Sequence, residues 1–270
     1  MLEFINHENH LFPSLGSFDQ LQHVIFVGTG GAVPNYTEYD KHLKRGDVAV
    51  SIPRSPDAPI YIHCSDVEQS SPAEQAFFST SVWNAADDTL PKILRQLYDV
   101  SISRSIDKPS WDKYSEQAQE TLKKYDDRFH RPPGKTDKLY AIIEGEGGKA
   151  VHVRHPVPPA DRQYAYREST PNVRCGVIGS GRAVARSDTL RMEFAGCHGV
   201  VAYDRGLHHA VEAVMNSRVS SFAMVLGICD YLDGTKTRTW QPYAAVCAAA
   251  FTKALVLALP AYGRRRGYYQ

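Results

Sequence analysis

V-E-A at Val211 to Ala213, followed by F-A-M-V-L-G-I-C-D-Y at Phe222 to Tyr231, carries the clearest architectural signal in the chain. The apolar run Phe222 to Leu226 reads as a buried strand. Asp230 then falls at the carboxyl end of that strand, where open α/β sheets place their ligands. Glu212 stands before small residues that can open a helix. Two such carboxylates can act as a matched pair, one holding hydroxyls and the other moving a proton. The same residues also fit plain structural roles, a charge near a helix N-terminus and a turn aspartate.

Working outward, Leu21 to Val27 is a β-rich run that ends in a glycine loop, Gly28 to Gly31, where a backbone can approach a ligand closely. Val48 to Ile52, Tyr61 to His63, Leu139 to Ile143, Val151 to Val153, Cys175 to Ile178 and Gly199 to Tyr203 read as further strands. Residues from Ala73 to Lys124 read as helical, with Leu90, Ile93, Leu94 and Leu97 at helical spacing and Pro109 as an interruption. Ser187 to Phe194, a helix opening at Val211 and a closing helix over Tyr243 to Leu259 complete the alternation. Gly145 to Gly148 reads as a turn. Alternating buried strands and helices predict a three-layer α/β/α domain with a central mixed sheet. It spans residues 21–262, between an N-terminal segment at 1–20 and a basic, aromatic tail at 263–270.

With 270 residues, the chain is long enough to bury a sizeable core. Its formal net charge of +1 gives no electrostatic footprint for nucleic acid or a membrane surface. Arg264, Arg265 and Arg266 read as a solvated tail. The five cysteines have no C-x-x-C spacing and fit a reducing compartment. No N-terminal stretch has the order of a signal peptide. The run Ala244 to Leu259 contains Lys253 and is too short to span a bilayer. The expectation is a cytoplasmic protein that acts on a small molecule without a metal or other cofactor.

Four strings resemble the nucleoside phosphorylase family, which includes the purine phosphorylases and the methylthioadenosine/adenosylhomocysteine nucleosidases. They are F-V-G-T-G-G-A-V-P from Phe26, R-G-D-V-A-V-S from Arg45, V-I-G-S-G-R-A-V from Val177, and V-E-A followed by L-G-I-C-D-Y-L-D and W-Q-P-Y-A-A. The branch that the chain looks like is common in filamentous fungi, often as one domain of a larger protein. The resemblance implies that Thr29, Gly30 and Gly31 cradle the ligand, that Glu212 binds sugar hydroxyls, and that Asp230 protonates or hydrogen-bonds the departing base. Ser180, Gly181, Arg182 and Val184 of the third string, with Val211 beside Glu212, would complete the pocket. It also implies a homo-oligomer, a dimer or trimer. Breaking an N-glycosidic bond builds a cationic sugar and a basic leaving group, so an acid at the base and an acceptor at the hydroxyls stabilise both.

The chain also departs from the family's pattern. Residues 1–20 show no strand or loop to hold phosphate or an activated water. The family's F-E-M-E-A reads A-V-E-A at Ala210 to Ala213. An insertion, Tyr203 to His209, precedes it. Arg182 replaces an asparagine, and Leu226 an arginine. These changes bring Arg182, Arg205, His208 and His209 toward the expected pocket mouth, where a fixed arginine favours an anionic group. Adjacent histidines point apart, so His208-His209 does not read as a metal site. No Ser-His-Asp arrangement follows from the spacing. Three functions remain open. The departures favour the first, a pocket turned to a non-nucleoside small molecule, with an isomerisation, cyclisation or pericyclic step in a natural-product pathway. Another is purine nucleoside phosphorolysis or hydrolysis. The third is a non-catalytic ligand- or partner-binding domain.

Overall fold

A computed structural model describes residues 21–260 except 54, 56–57, 70–74, 86, 104–107, 144–148, 161–169, 186, 205, 217–220 and 232–237. The N-terminal segment, the Gly145 to Gly148 turn, Arg205 and the Arg264 to Arg266 tail lie outside the described residues. In chain order the strands are β1 (His23–Ala32), β2 (Val48–Ser51), β3 (Pro59–Glu68), β4 (Phe77–Asn84), β5 (Leu139–Ile143), β6 (Lys149–Val153), β7 (Val173–Ser180), β8 (Val200–Tyr203) and β9 (Ser221–Asp230). The α-helices are α1 (Thr89–Ile102), α2 (Ser110–Leu122), α3 (Arg182–Ala185), α4 (Asp188–His198), α5 (His208–Met215) and α6 (Gln241–Ala258).

Seven strands form one mixed sheet in the order β2-β9-β1-β8-β7-β3-β4, and β5 and β6 form a separate hairpin. A further pairing of β2 with β7 closes β2, β9, β1, β8 and β7 into a ring. Side chains alternate along each strand. On β9, Ala223 and Val225 face one core, where Leu90 and Leu94 of α1, Trp111 of α2 and Phe251 of α6 pack. Phe222, Met224, Leu226 and Ile228 face a second, shared with Tyr61, Ile178 and the α5 residues Val211 and Val214. Val184 of α3 and Phe194 and Ala195 of α4 cover β3, β7 and β8 through Ile62, Val177 and Tyr203. The expected architecture, a central mixed sheet with helices on both faces, is the one observed.

Two expectations about elements are corrected. Residues 77–84 form a strand rather than a helix. β4 pairs antiparallel with β3 at the sheet's edge, and its aromatic and β-branched residues suit that place. Gly28 to Gly31 do not form a loop, because β1 pairs with β9 from His23 through Gly31, with a register shift between Gly30 and Gly31. The closing helix also differs from its sequence reading. At 18 residues, α6 is long and apolar enough to cross a membrane by length and composition. Here it packs on the sheet, with Ala244, Ala248, Phe251 and Leu255 fully buried.

Three of the motifs that carry the resemblance, R-G-D-V, G-I-C-D and W-Q-P-Y, meet in one corner. A Cβ at Gly227 would lie 1.9 Å from the Ala244 carbonyl oxygen, so β9 and α6 approach backbone to backbone. Gly46 has φ +94, and a Cβ there would lie 2.7 Å from the Tyr243 ring. Its N–H donates to the Ile228 carbonyl, and the Ile228 N–H donates back to the Asp47 carbonyl. The two carboxylate oxygens of Asp47 accept separate backbone N–H groups, from Lys44 at 2.7 Å and Asn172 at 2.8 Å. R-G-D-V, G-I-C-D and W-Q-P-Y thus lock β2, β9 and α6 together.

Candidate functional site

β1 and β8 run in opposite directions and meet only at their tips, Gly31 beside Tyr203 and Ala32 beside Ala202. On its other side Gly31 pairs with Asp230, the last residue of β9. The carboxyl ends of β8 and β9 therefore flank one glycine, about two strand spacings or 10 Å apart. Asp230 is 1% exposed. The glycines of β1 let these tips converge. A Cβ on Gly30 would lie 2.5 Å from the Tyr203 carbonyl oxygen. Thr29 points elsewhere. It lines an open cleft of about 450 Å³ at the start of α6, with Arg128, Arg238 and Gln241.

Beside the tips lies a polar chain drawn from β3, β7 and the residue after β8. Register sets it up: Tyr61 pairs with Ile178 and His63 with Ser180 across the β3–β7 ladder, and Gly179 pairs with Tyr203 across β7–β8. Tyr61 donates its hydroxyl to Asp204 at 2.6 Å. Its oxygen also lies 2.7 Å from Ser180 Oγ, which in turn lies 2.6 Å from His63 Nδ1. Asp204 accepts two backbone N–H groups as well, from Gly206 at 2.6 Å and Leu207 at 2.7 Å, which sets the turn into α5. Burial, and then the Asp204 charge, push the Tyr61 hydroxyl far above its ordinary range. It therefore stays protonated and holds Asp204 as a donor. Burial, and then the neighbouring His208, lower the His63 pKa, so its ring is the neutral form at pH 7.

His208, the first residue of α5, stacks face to face on His63, with centroids 3.4 Å apart and planes 7° from parallel. The edge of Trp83 from β4 closes the stack at 5.5 Å. Burial lowers the His208 pKa too. Glu212 sits one turn along, with an oxygen 3.9 Å from His208 Nε2 and 3.8 Å from His209 Nδ1.

These positions separate the expected site residues. Ser180 enters the polar chain. Gly181, at φ +135, is required for close approach, since a Cβ there would lie 2.3 Å from the Cys64 carbonyl oxygen. Arg182 opens α3 with its side chain exposed, and Arg205 is outside the described residues. Val184 and Val211, expected to line the pocket, are fully buried among apolar side chains and serve packing. Gly30 and Gly31 belong to the sheet, where both pair with β9 and Gly30 approaches the Tyr203 carbonyl. Glu212 does not open its helix but sits in the middle of α5, half exposed, among histidines. The buried carboxylate at the end of β8 is Asp204.

Tyr61, His63 and Asp204 were not singled out from the sequence. The available signal was the strand reading of Tyr61 to His63, because period-two alternation puts those two polar side chains on one face. The Ser180–His63 pairing, invisible in the spacing, follows only from strand register.

No protein-family model matches the chain. It is similar to a nucleotide-binding leucine-rich repeat (NLR)-like protein of Hyaloscypha variabilis, at 27% identity over 244 residues. That match covers 89% of this chain and 22% of the relative, so the chain spans about a fifth of the length of the curated relative it matches. Among solved structures it is similar to the futalosine hydrolase of Helicobacter pylori, with a TM-score of 0.43 and 16% identity over 92% of this chain and 73% of that one. It is also similar to the 5'-methylthioadenosine/S-adenosylhomocysteine nucleosidase of Helicobacter pylori, with a TM-score of 0.44 and 15% identity over 92% and 73%. A structure from work on uridine phosphorylases of Phytophthora capsici has a TM-score of 0.41 and 13% identity over 87% and 65%.

Proposed function

We propose that the chain is an enzyme module that cleaves the N-glycosidic bond of a nucleoside-type small molecule, and that it works as one part of a larger protein. The observation that carries the reading is Asp230, a carboxyl group 1% exposed at the end of β9, where three strand tips converge. An acid held there can protonate or hydrogen-bond a departing base. The polar chain beside it supplies a neutral imidazole and a hydroxyl, His63 and Ser180, with Asp204 as their anchor through Tyr61. The motif resemblance supports the same chemistry, and the partial match to an NLR-like protein supports the modular setting.

The sequence by itself favours another reading, a pocket turned to a non-nucleoside small molecule, on the departures in residues 1–20, in the A-V-E-A string and at the cationic replacements. Arg182 is exposed on α3, whereas Arg205 and residues 1–20 lie outside the described residues. Self-association remains part of the proposal, and light scattering at micromolar concentration checks it.

The test is incubation of the chain with adenosine, inosine and methylthioadenosine, with and without phosphate, and chromatography of the free base. Base release is expected, and Asp230→Asn should lower its rate about a hundredfold, the usual worth of a general acid. No release from any of them, or an unchanged rate in Asp230→Asn, overturns the reading.

A further inference from the structure

We propose that His208, His209 and Glu212 of α5 form a binding site for a divalent transition-metal ion of the zinc class. Two nitrogens and one carboxylate oxygen are the donors that Zn²⁺ accepts, and three protein ligands leave one position open for water or a ligand atom. The ligand atoms of the three side chains all lie within 4.8 Å of one another. Tetrahedral zinc with bonds near 2.0–2.1 Å holds its ligands about 3.3 Å apart. The observed separations of 3.9 and 3.8 Å from the Glu212 oxygen to the two imidazoles are thus closed by small side-chain movements.

Helix geometry explains why adjacent histidines succeed here. His208 and His209 do diverge from the helix axis. Glu212 is four residues from the first and three from the second, and those are the two spacings that meet on a helix surface. One carboxylate therefore faces both rings. His208 is also held in place, because His63 stacks on its face and Trp83 meets the stack edge-on. A ring fixed before the ion arrives loses little freedom on binding. Glu212 and His209 are the exposed, adjustable members.

The site stands apart from the N-glycosidic reading, because metal binding and base release are measured separately. After treatment with a chelator, untagged protein is titrated with Zn²⁺ by calorimetry, and with Co²⁺ by visible absorption. One ion per chain is expected, with a Co²⁺ spectrum that lacks a thiolate charge-transfer band. Mg²⁺ should not compete, since it prefers an all-oxygen octahedral shell. His209→Ala and Glu212→Gln should each weaken Zn²⁺ binding about tenfold or more. Both positions are on the surface, and equal melting temperatures in chelator verify that the variants fold. The wild-type protein should then gain more melting temperature than either variant at the same Zn²⁺ concentration. No binding to the wild-type protein, a thiolate band, or unchanged affinity in both variants overturns the proposal.

Discussion

The corner where β2, β9 and α6 meet and the corner where β3, β7, β8 and α5 meet are built on opposite plans. In the first, glycine brings backbones together. Gly227 sits beneath Ala244, and Gly46 beneath Tyr243, with Val225, Trp240 and Phe251 packed around them. In the second, hydrogen bonds do the joining, from Asp204 through Tyr61 and Ser180 to His63, with His208 stacked on the end. R-G-D-V, G-I-C-D and W-Q-P-Y, among the strings by which the chain resembles a known family, lie in the first corner. They specify contact distances there, and so they identify an architecture more directly than a reaction.

The sharpest test of that contrast is Gly227→Ala. The added methyl would lie 1.9 Å from a backbone oxygen, so α6 or β9 must move. A loss of about 3 kcal/mol or more is expected from overpacking, read by urea denaturation. Gly28→Ala is the internal control, because its Cβ would meet only the Leu226 side chain at 3.7 Å. Equal losses in the two variants would mean that the first corner is not set by backbone contact.

In the polar corner the corresponding change is Tyr61→Phe, which keeps the ring and removes the hydroxyl. Asp204 then loses its side-chain donor at a site 7% exposed. A buried acceptor left short of a partner costs about 1–3 kcal/mol. The fold should survive, since Asp204 keeps the Gly206 and Leu207 N–H groups. A loss under about 0.5 kcal/mol in denaturant would show that the chain of hydrogen bonds is ornamental to stability.

The contrast also explains what was legible in the sequence. β2, β5, β7, β8 and β9, with α4 and α6, were readable because each is a local pattern of apolar period or glycine punctuation. β4 was not, because it is an edge strand whose exposed residues, Phe77 and Val82 among them, break the inward alternation. The glycines of β1 read as a loop because glycine permits a loop, while the partner strand that straightens them lies nearly two hundred residues away, as in the His23–Ser221 hydrogen bond. Asp230 was visible as the end of an apolar run. Tyr61, His63 and Asp204 were not, because their partnership depends on the register of three strands from distant parts of the chain.

Beside the first corner, His42 offers a test by pH. It is 2% exposed, hydrogen-bonded to His155 at 2.8 Å and stacked on Tyr231. Burial, and then the neighbouring His155, lower its pKa to about 3. The unfolded chain takes up this proton near pH 6.5, so the stabilising contribution is full above that pH and is lost as pH falls toward 3. Asp47 acts in the opposite sense. Burial pushes its pKa up to about 6 from the ordinary carboxylate range, so its contribution grows as pH falls through that window. The two slopes oppose each other between about pH 6 and 4. His42→Gln removes one of them, so its stability relative to the wild-type protein should rise toward acid, by about 1 kcal/mol per pH unit. Parallel stability curves for the two proteins from pH 7 to 4 would mean that His42 is not held neutral by its surroundings.

The smallest expected effect belongs to Glu212→Gln in chelator. Sequence alone gave Glu212 a place beside Asp230, yet it lies on α5 with its side chain 52% exposed. The side chains nearest its carboxylate are His208 and His209, at 3.9 and 3.8 Å, and the His209 side chain is 88% exposed. Polar contacts this open are screened by water and salt and contribute little. The variant should therefore fall within about 0.5 kcal/mol of the wild-type protein in urea. The contrast with Tyr61→Phe matters because both changes touch the same corner, one at its buried anchor and the other on its outer face. Should Glu212→Gln cost as much as Tyr61→Phe, the glutamate would have to bear on the buried chain through His208, and the division of this corner into an inner scaffold and an outer ligand face would fail.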